Sequence, residues 1–415
     1  MSSDTRTQAP IVSALPSGMR VVMRPETANE IVSVLVFFPV PGAIERTEEA
    51  GLVQFTAAMM VRGTTSRTHA ELAEAIDGLG ISLTCSAADD YSLASLDCTS
   101  DTLEESLALL AEVILSPSFE PEEIEKERQS TLAAIRRRDD DRLAFAVRHM
   151  MQDLYAGHSY GLPRLGHAET VAEFTRDQIL TVHGELLDAP RMLAVCLGHF
   201  EPSRMESRLA ELFSGITGRG GEALQVAQPG PPRPGRRTLE RPGEQAVLAA
   251  GWRACGLADP AGPAVRLLNA VAGEGMNSRL FQRLREQQGL AYATGSYVHL
   301  LVQGGHIVAH IGTRPDAREQ ALEGLLGIFA QLRRERVPRE ELDRARNYVT
   351  GKYLIDHQSN HRRAFYLGHY EMTGLGLAAD EDFPERLARV TADDVLAAAE
   401  QFLGDATVAE VLPPE

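Results

Sequence analysis

Two long stretches of this chain, about half its length apart, run through the same succession of patterns. TLEESLALLAEVILSPSFEPEEIEKERQSTL in the first half is answered by AREQALEGLLGIFAQLRRERVPREELDRARNYV in the second. In each, apolar residues three and four apart predict an amphipathic helix, a proline-bearing break ends it, and a second helix rich in acids and bases follows. Glu123-Ile124-Glu125-Lys126 falls on Glu341-Leu342-Asp343-Arg344, an offset of 218 residues. The strands agree: IVSVLVFFPV (Ile31 to Val40) is an apolar, β-rich run, and QAVLAAGWRA (Gln245 to Ala254) stands at the matching place. Amphipathic helices are common, but their repetition in order and with their breaks is not, so a tandem duplication of one α+β unit accounts for the pattern.

Between the two copies lies QPGPPRPGRR (Gln228 to Arg237), inside a polar region from Thr217 to Gln245. That composition cannot continue a helix or a central strand. The chain therefore divides into an N-terminal domain at 1–216, a Pro/Gly-rich linker at 217–245 and a C-terminal domain at 246–415. The expected fold class is α+β, two duplicated halves, each a mostly antiparallel sheet with helices packed on one face. The length of 415 residues, too great for one ordinary core, agrees with two to four domains.

Composition narrows the function classes. With 41 Lys and Arg against 58 Asp and Glu, the formal charge of −17 opposes binding to a polyanionic backbone, which argues against a nucleic-acid partner. Cys85, Cys98, Cys196 and Cys255 are scattered, with no C-x-x-C pair, as expected of reduced, buried thiols. The start, MSSDTRTQAPIVSALPSG, has no apolar signal core, and no later run approaches 18 uninterrupted apolar residues. Neither a secretion signal nor a membrane span is expected, and the expected location is cytoplasmic.

PGAIERTEEAGLVQFTAAMMVRGT (Pro41 to Thr64) places a Gly-Leu pair before a helical segment, and an apolar pair and a Gly-Thr turn after it. LPSGMRVVMRP precedes it and HSYGLPRLG (His158 to Gly166) follows. From about Leu15 to about Leu412, the chain resembles the pitrilysin/insulinase-type (inverzincin) zinc peptidases, which carry H-x-x-E-H on that helix. Laid on that frame, the first His falls on Gln54, the general-base Glu on Ala57 and the second His on Ala58. The distal Glu of the family falls on Ala134, in KERQSTLAAIRR, with 75 residues between it and Ala58. Two imidazoles four apart on a helix hold zinc together, and the Glu between them takes the proton of the attacking water. A methyl group does neither, and glutamine is a poor zinc ligand, so the resemblance implies an emptied zinc motif and no metal in this chain.

The second half retains a different motif. In GEGMNSRLFQRLREQQGLAYATGSY (Gly273 to Tyr297), SRLFQRLREQQ predicts an amphipathic helix, Gly289 its left-handed terminator and LAYATGSYVHL a returning strand. Arg285 then lies on the last helical turn and Tyr292 on the strand. By themselves these are an Arg complementing the helix dipole and a Tyr packed in a sheet. The resemblance implies more: the family carries an Arg and a Tyr at this separation in the half without zinc. There Tyr292 would donate to the substrate carbonyl oxygen as it becomes an oxyanion, and Arg285 would hold the substrate backbone. Gly273 and Gly275 resemble the family's glycine-rich loop and count as substrate-binding candidates.

Histidines elsewhere offer weaker chemistry. His357, His361 and His369 share a face only if one helix is continuous, and no Glu follows His357 to make H-E-x-x-H. His306 and His310 lie in a strand-like run, where a four-residue separation spans roughly 13 Å and cannot chelate one ion.

The resemblance therefore implies the non-catalytic, substrate-binding subunit of a heterodimeric zinc endopeptidase. A homologous partner bearing H-x-x-E-H would hold the zinc, this chain would hold no cofactor, and the substrate would be a peptide or unfolded segment such as a presequence or leader, taken up in extended form. The rivals are a structural or peptide-holding pseudoenzyme without a catalytic partner, and an autonomous metalloenzyme built on the His357 cluster.

Overall fold

Ile31–Phe38 reads IVSVLVFF because it is a central strand: every residue after the first is buried. A strand flanked on both edges and covered on both faces has no use for polar alternation. Ser82–Ala87 alternates exposed and buried residues instead, as suits the outermost strand of the same sheet. The computed structural model describes residues 9–220, 224 and 226–414. The first eight residues, part of the segment on which the leader reading rests, lie outside the described residues, as do 221–223 and 225 of the expected linker.

The first sheet holds β1 (Ile11–Ala14), β2 (Arg20–Pro25), β3 (Ile31–Phe38), β4 (Ser82–Ala87), β5 (Ser92–Thr99) and β6 (Leu193–Gly198), in the order β1-β2-β6-β3-β5-β4. The second holds β7 (Gly235–Glu240), β8 (Ala246–Ala254), β9 (Ala293–Leu301), β10 (Gly304–Thr313) and β11 (Thr407–Leu412), in the order β7-β11-β8-β10-β9. From β2 onward the two orders are the same, and in each the pair nearest that end, β2 with β6 and β7 with β11, is parallel while the rest are antiparallel. The duplication predicted from the helices is thus repeated in strand order and polarity.

β7 lies inside the stretch expected as linker. No proline falls between Pro234 and Pro242, so every residue of β7 keeps its N–H, and an edge strand needs a partner on one side only. Gly235 N–H accordingly donates to Ala406 O at 3.2 Å. The segment without regular structure is correspondingly shorter than the sequence reading has it.

The chain forms two compact units, and each is discontinuous: Met1–Leu132, Arg164–Gln225 and Asp356–Asp380 make the first, and Ala133–Pro163, Val226–Ile355 and Glu381–Glu415 the second. Helix Asn360–Met372, from the second half, packs on β3 and β6 in the first unit, while helix Arg142–Leu154, from the first half, packs on β8 and β11 in the second. The starts of these helices are again 218 residues apart. The α+β reading holds with this addition: besides the expected helix layer, each sheet carries on its opposite face a helix from the other half. In β8, Gly251 faces Met150 of the exchanged helix, whereas the next residue, Trp252, stacks on Phe329 of helix Arg318–Leu332. Successive strand residues point to opposite faces, so both faces are helix-covered.

Size complementarity fits each exchanged helix to its sheet. A Cβ on Gly251 would overlap Met150 Sδ, and a Cβ on Gly368 would overlap the ring of Phe37 on β3. Under the two sequence alignments Met150 corresponds to Gly368, and Phe37 to Gly251. In one unit the helix supplies the large residue and the strand the glycine, and in the other the roles are reversed. Around Phe37 the core continues through Leu35, Leu193, Val195, Ala364 and Leu367.

Candidate functional site

The emptied motif sits on helix Leu52–Met60, entered through Gly51 at φ 94°. That left-handed entry is one reason for the glycine, and close approach is the second, since a Cβ there would lie 2.6 Å from Gly166 N. Glu45 caps the helix, accepting from Gly51 N at 2.8 Å and Val53 N at 2.6 Å. Burial nonetheless pushes its carboxyl up to about 7, outweighing those two donors. At the first His position, Gln54 Oε1 accepts the backbone N–H of Ala87 at 2.8 Å, so this amide now serves the end of edge strand β4. Ala57 is buried in the core, together with Phe55, Met59 and Met60, and Ala58 is half-buried.

Ala134 lies on helix Pro121–Asp140, which begins in the first unit and ends in the second. On the same helix, Glu127 pairs with Arg62, just beyond the motif helix, at 3.0 Å and accepts from Thr131 Oγ1 at 3.1 Å. Arg62 stands directly before the Gly-Thr turn, and its spacing gives no sign of Glu127 as its partner 65 residues on. An amide and three methyl groups do not make a zinc donor set, so the residues present do not fit the metal of the resembling family. Among the described residues no group of three or more His, Cys, Asp or Glu is placed to hold a metal ion.

The retained motif is better formed. The expected helix is present, but Leu280–Gln287 winds as a π-helix, with Gln288 N–H donating five residues back to Arg283 O at 3.1 Å. Such widened turns are rare and recur at functional sites. Gly289 ends it at φ 62°, as expected. Arg285 is exposed, its guanidinium 4.8 Å above the ring of Phe281, and its nearest carboxylate, Glu286, is 4.0 Å away. Tyr292 is 56% exposed. Its N–H donates to Gly312 O at 2.9 Å, and its hydroxyl has no partner among the described residues. It stands directly before β9, the edge strand of its sheet. The two side chains do not bond each other among the described residues; both are open to solvent on either side of the Gly289 turn.

The glycine pair has a packing explanation. A Cβ on Gly273 would lie 2.5 Å from Ser296 N on β9, and one on Gly275, at φ 78°, would lie 3.0 Å from the ring of Tyr348. These glycines let helix Gly262–Gly273 and the loop after it approach their neighbours.

The histidines separate. His357 precedes helix Asn360–Met372, so no single helix carries all three. His357 bonds Asp380 at 2.9 Å, His361 bonds Asp97 at 2.9 Å and His369 bonds the Tyr91 hydroxyl at 3.0 Å. Each ring is thus committed to a different partner. His306, on β10, is buried against the Tyr155 hydroxyl at 3.1 Å, and burial lowers its pKa to about 3.

Residues 20–168 match the family described as Insulinase (Peptidase family M16), and residues 173–349 match the Peptidase M16 inactive domain. An uncharacterized zinc protease of Mycobacterium leprae is 26% identical over 411 residues, covering 97% of this chain and 91% of that protein. Another, from Rickettsia felis, is 25% identical over 413 residues, covering 97% of each. Among solved structures, a peptidase M16 inactive domain from Pseudomonas fluorescens superposes with a TM-score of 0.91 at 23% identity over 98% of both chains. A protease from Helicobacter pylori gives 0.88 at 18% identity, over 98% of this chain and 100% of that one. At these identities the structural likeness speaks for the fold.

Proposed function

Because this chain belongs to peptidase family M16 but lacks the residues of its zinc motif, we propose that it is the non-catalytic, substrate-binding subunit of a two-chain zinc endopeptidase. The observation that carries this reading is the asymmetry between the motifs. Gln54, Ala57 and Ala58 have been absorbed into packing and a backbone hydrogen bond, whereas Arg285 and Tyr292 remain exposed, the guanidinium over Phe281 with Glu286 4.0 Å away and the Tyr292 hydroxyl without a partner among the described residues. A Tyr and an Arg kept only for stability gain more by being buried or paired.

In this reading a peptide lies extended as an added strand, its backbone groups satisfied by a sheet edge. Tyr292 Oη donates to the scissile carbonyl oxygen as negative charge develops there, and Arg285 binds a neighbouring carbonyl. Activation of the water falls to the partner chain. The π-turn and Gly289 give the Arg–Tyr pair a fixed spacing, which supports positioning of substrate. Presequences, leader peptides and other unfolded segments fit an edge that reads backbone more than side chain.

The test is affinity capture of the native chain from its own cells, followed by identification of what co-purifies and assay for peptide cleavage. Expected is one homologous chain carrying H-x-x-E-H, in equal amount, with chelator-sensitive activity. Recovery of the chain alone, with no such partner and no activity, would leave a peptide-holding pseudoenzyme as the reading.

A further inference from the structure

On the second unit, away from the Arg285–Tyr292 motif in sequence, a cleft of about 1100 Å³ opens beside helix Arg318–Leu332. Its floor is apolar. Trp252 and Phe329 stack there with ring centroids 4.3 Å apart, and Leu322, Leu326 and Leu403 also line the cleft. The indole N–H is already committed to Gly404 O at 3.1 Å, and both rings are buried, so the apolar surface the cleft presents comes mainly from the half-buried Leu326, Ala330 and Ala406 above them.

The charged lining differs in kind. Arg333 and Arg334 follow the last turn of helix Arg318–Leu332, while Glu400 lies on helix Ala392–Phe402 and Asp405 just beyond it. All four are exposed, and none has an ion pair or side-chain hydrogen bond among the described residues. Arg236, which lines the same cleft, is by contrast held by Glu319 and Glu410. Two cations on one element and two anions on another thus line one apolar cleft without pairing. A ligand that uses the whole site needs an apolar body and one charge of each sign.

We propose that this cleft binds short apolar peptides with both termini free, the carboxylate toward Arg333 and Arg334 and the ammonium toward Glu400 and Asp405. The volume is at the upper end of that of small-ligand sites. The ligand class is the one that peptide hydrolysis releases, but the site does not depend on the role of Arg285 and Tyr292. An inactive Arg285 or Tyr292 variant should bind as well as wild type.

Trp252 is the one tryptophan of the chain and lies in the cleft floor, which makes its fluorescence a local probe. The full-length chain is titrated with Leu-Leu-Leu, its N-acetyl derivative and its C-terminal amide, following Trp252 emission and calorimetric heat. Expected is saturable binding of the free tripeptide at one site per chain, weakened about tenfold or more by capping either end. In Arg333→Ala/Arg334→Ala the penalty for C-terminal amidation disappears while that for acetylation persists. Leu326→Asp, which puts a charge on the half-buried apolar floor, weakens binding about tenfold or more while the melting temperature is kept. The proposal is overturned if the free tripeptide gives no saturable signal to millimolar concentration, if free and capped peptides bind equally, or if a folded Leu326→Asp variant binds unchanged.

Discussion

Tyr292 and Glu45 show how differently two polar side chains can be placed in one chain. The Tyr292 hydroxyl is exposed and unpartnered among the described residues, and Tyr292→Phe removes one oxygen with little change in volume. In the reconstituted complex it should lower the rate of peptide cleavage about 10² to 10³-fold, the range for losing one oxyanion donor. Sedimentation should find assembly unchanged; wild-type turnover in an intact complex would make the tyrosine structural. Glu45 is committed to the N-terminus of the motif helix, with its carboxyl held up at about 7 against an ordinary 4.5. Between those values Glu45 is protonated in the folded chain and ionised in the unfolded one, so this group's contribution to stability is full below pH 4.5 and is lost as pH rises through 7. Denaturation across that window should show the decline, and Glu45→Gln should flatten it; an unchanged slope would assign the effect to other groups. The loss of the ligand at Gln54 was legible in the residue type, but its bond to Ala87 N was not, because that partner is fixed by strand pairing 33 residues away.

At the level of elements, local pattern was a good guide wherever an element's own residues decide it. The two pairs of long helices, β3, β8 and the Gly289 terminator follow from periodicity and a left-handed glycine. The π-winding of Leu280–Gln287 left no mark in the apolar pattern, since its three apolar residues, Leu280, Phe281 and Leu284, share a face under either winding. The exchange of helices was also hidden. Helix Arg142–Leu154 is equally amphipathic whichever sheet it covers, and its choice rests on contacts such as Met150 with Gly251, a hundred residues on. Gly251→Phe should therefore cost about 1–3 kcal/mol or more by overpacking, and Met150→Gly with Gly251→Phe should recover part of that loss by recreating the Gly368–Phe37 arrangement. Urea denaturation of the two single variants and the double gives the coupling. Strict additivity would mean that size complementarity does not select the sheet.

For the whole molecule, duplication is the organising fact, visible in sequence as an offset and in structure as a shared strand order. One copy holds Gln54, Ala57 and Ala58 where the family's zinc motif would fall, and the other holds the Arg285–Tyr292 pair. If Gln54, Ala58 and Ala134 occupy the ligand positions of the family, Gln54→His, Ala58→His and Ala134→Glu together should create a zinc site, and calorimetry should find about one tight zinc per chain. Adding Ala57→Glu need not restore catalysis, because catalysis also depends on groups that orient the ligands, which these substitutions do not supply. A folded triple variant that takes up no more zinc than wild type would mean that these positions do not converge.

The central claim is a division of labour between two chains, and cleavage by separated and recombined subunits tests it most directly. A fluorogenic peptide is offered to this chain, to the H-x-x-E-H homologue, and to an equimolar mixture, each with and without chelator. Expected are no cleavage by this chain, little by the homologue and strong, chelator-sensitive cleavage by the mixture. Chelator-sensitive cleavage by this chain alone after repurification, or a homologue as active without it as with it, would mean that the labour is not divided between two chains.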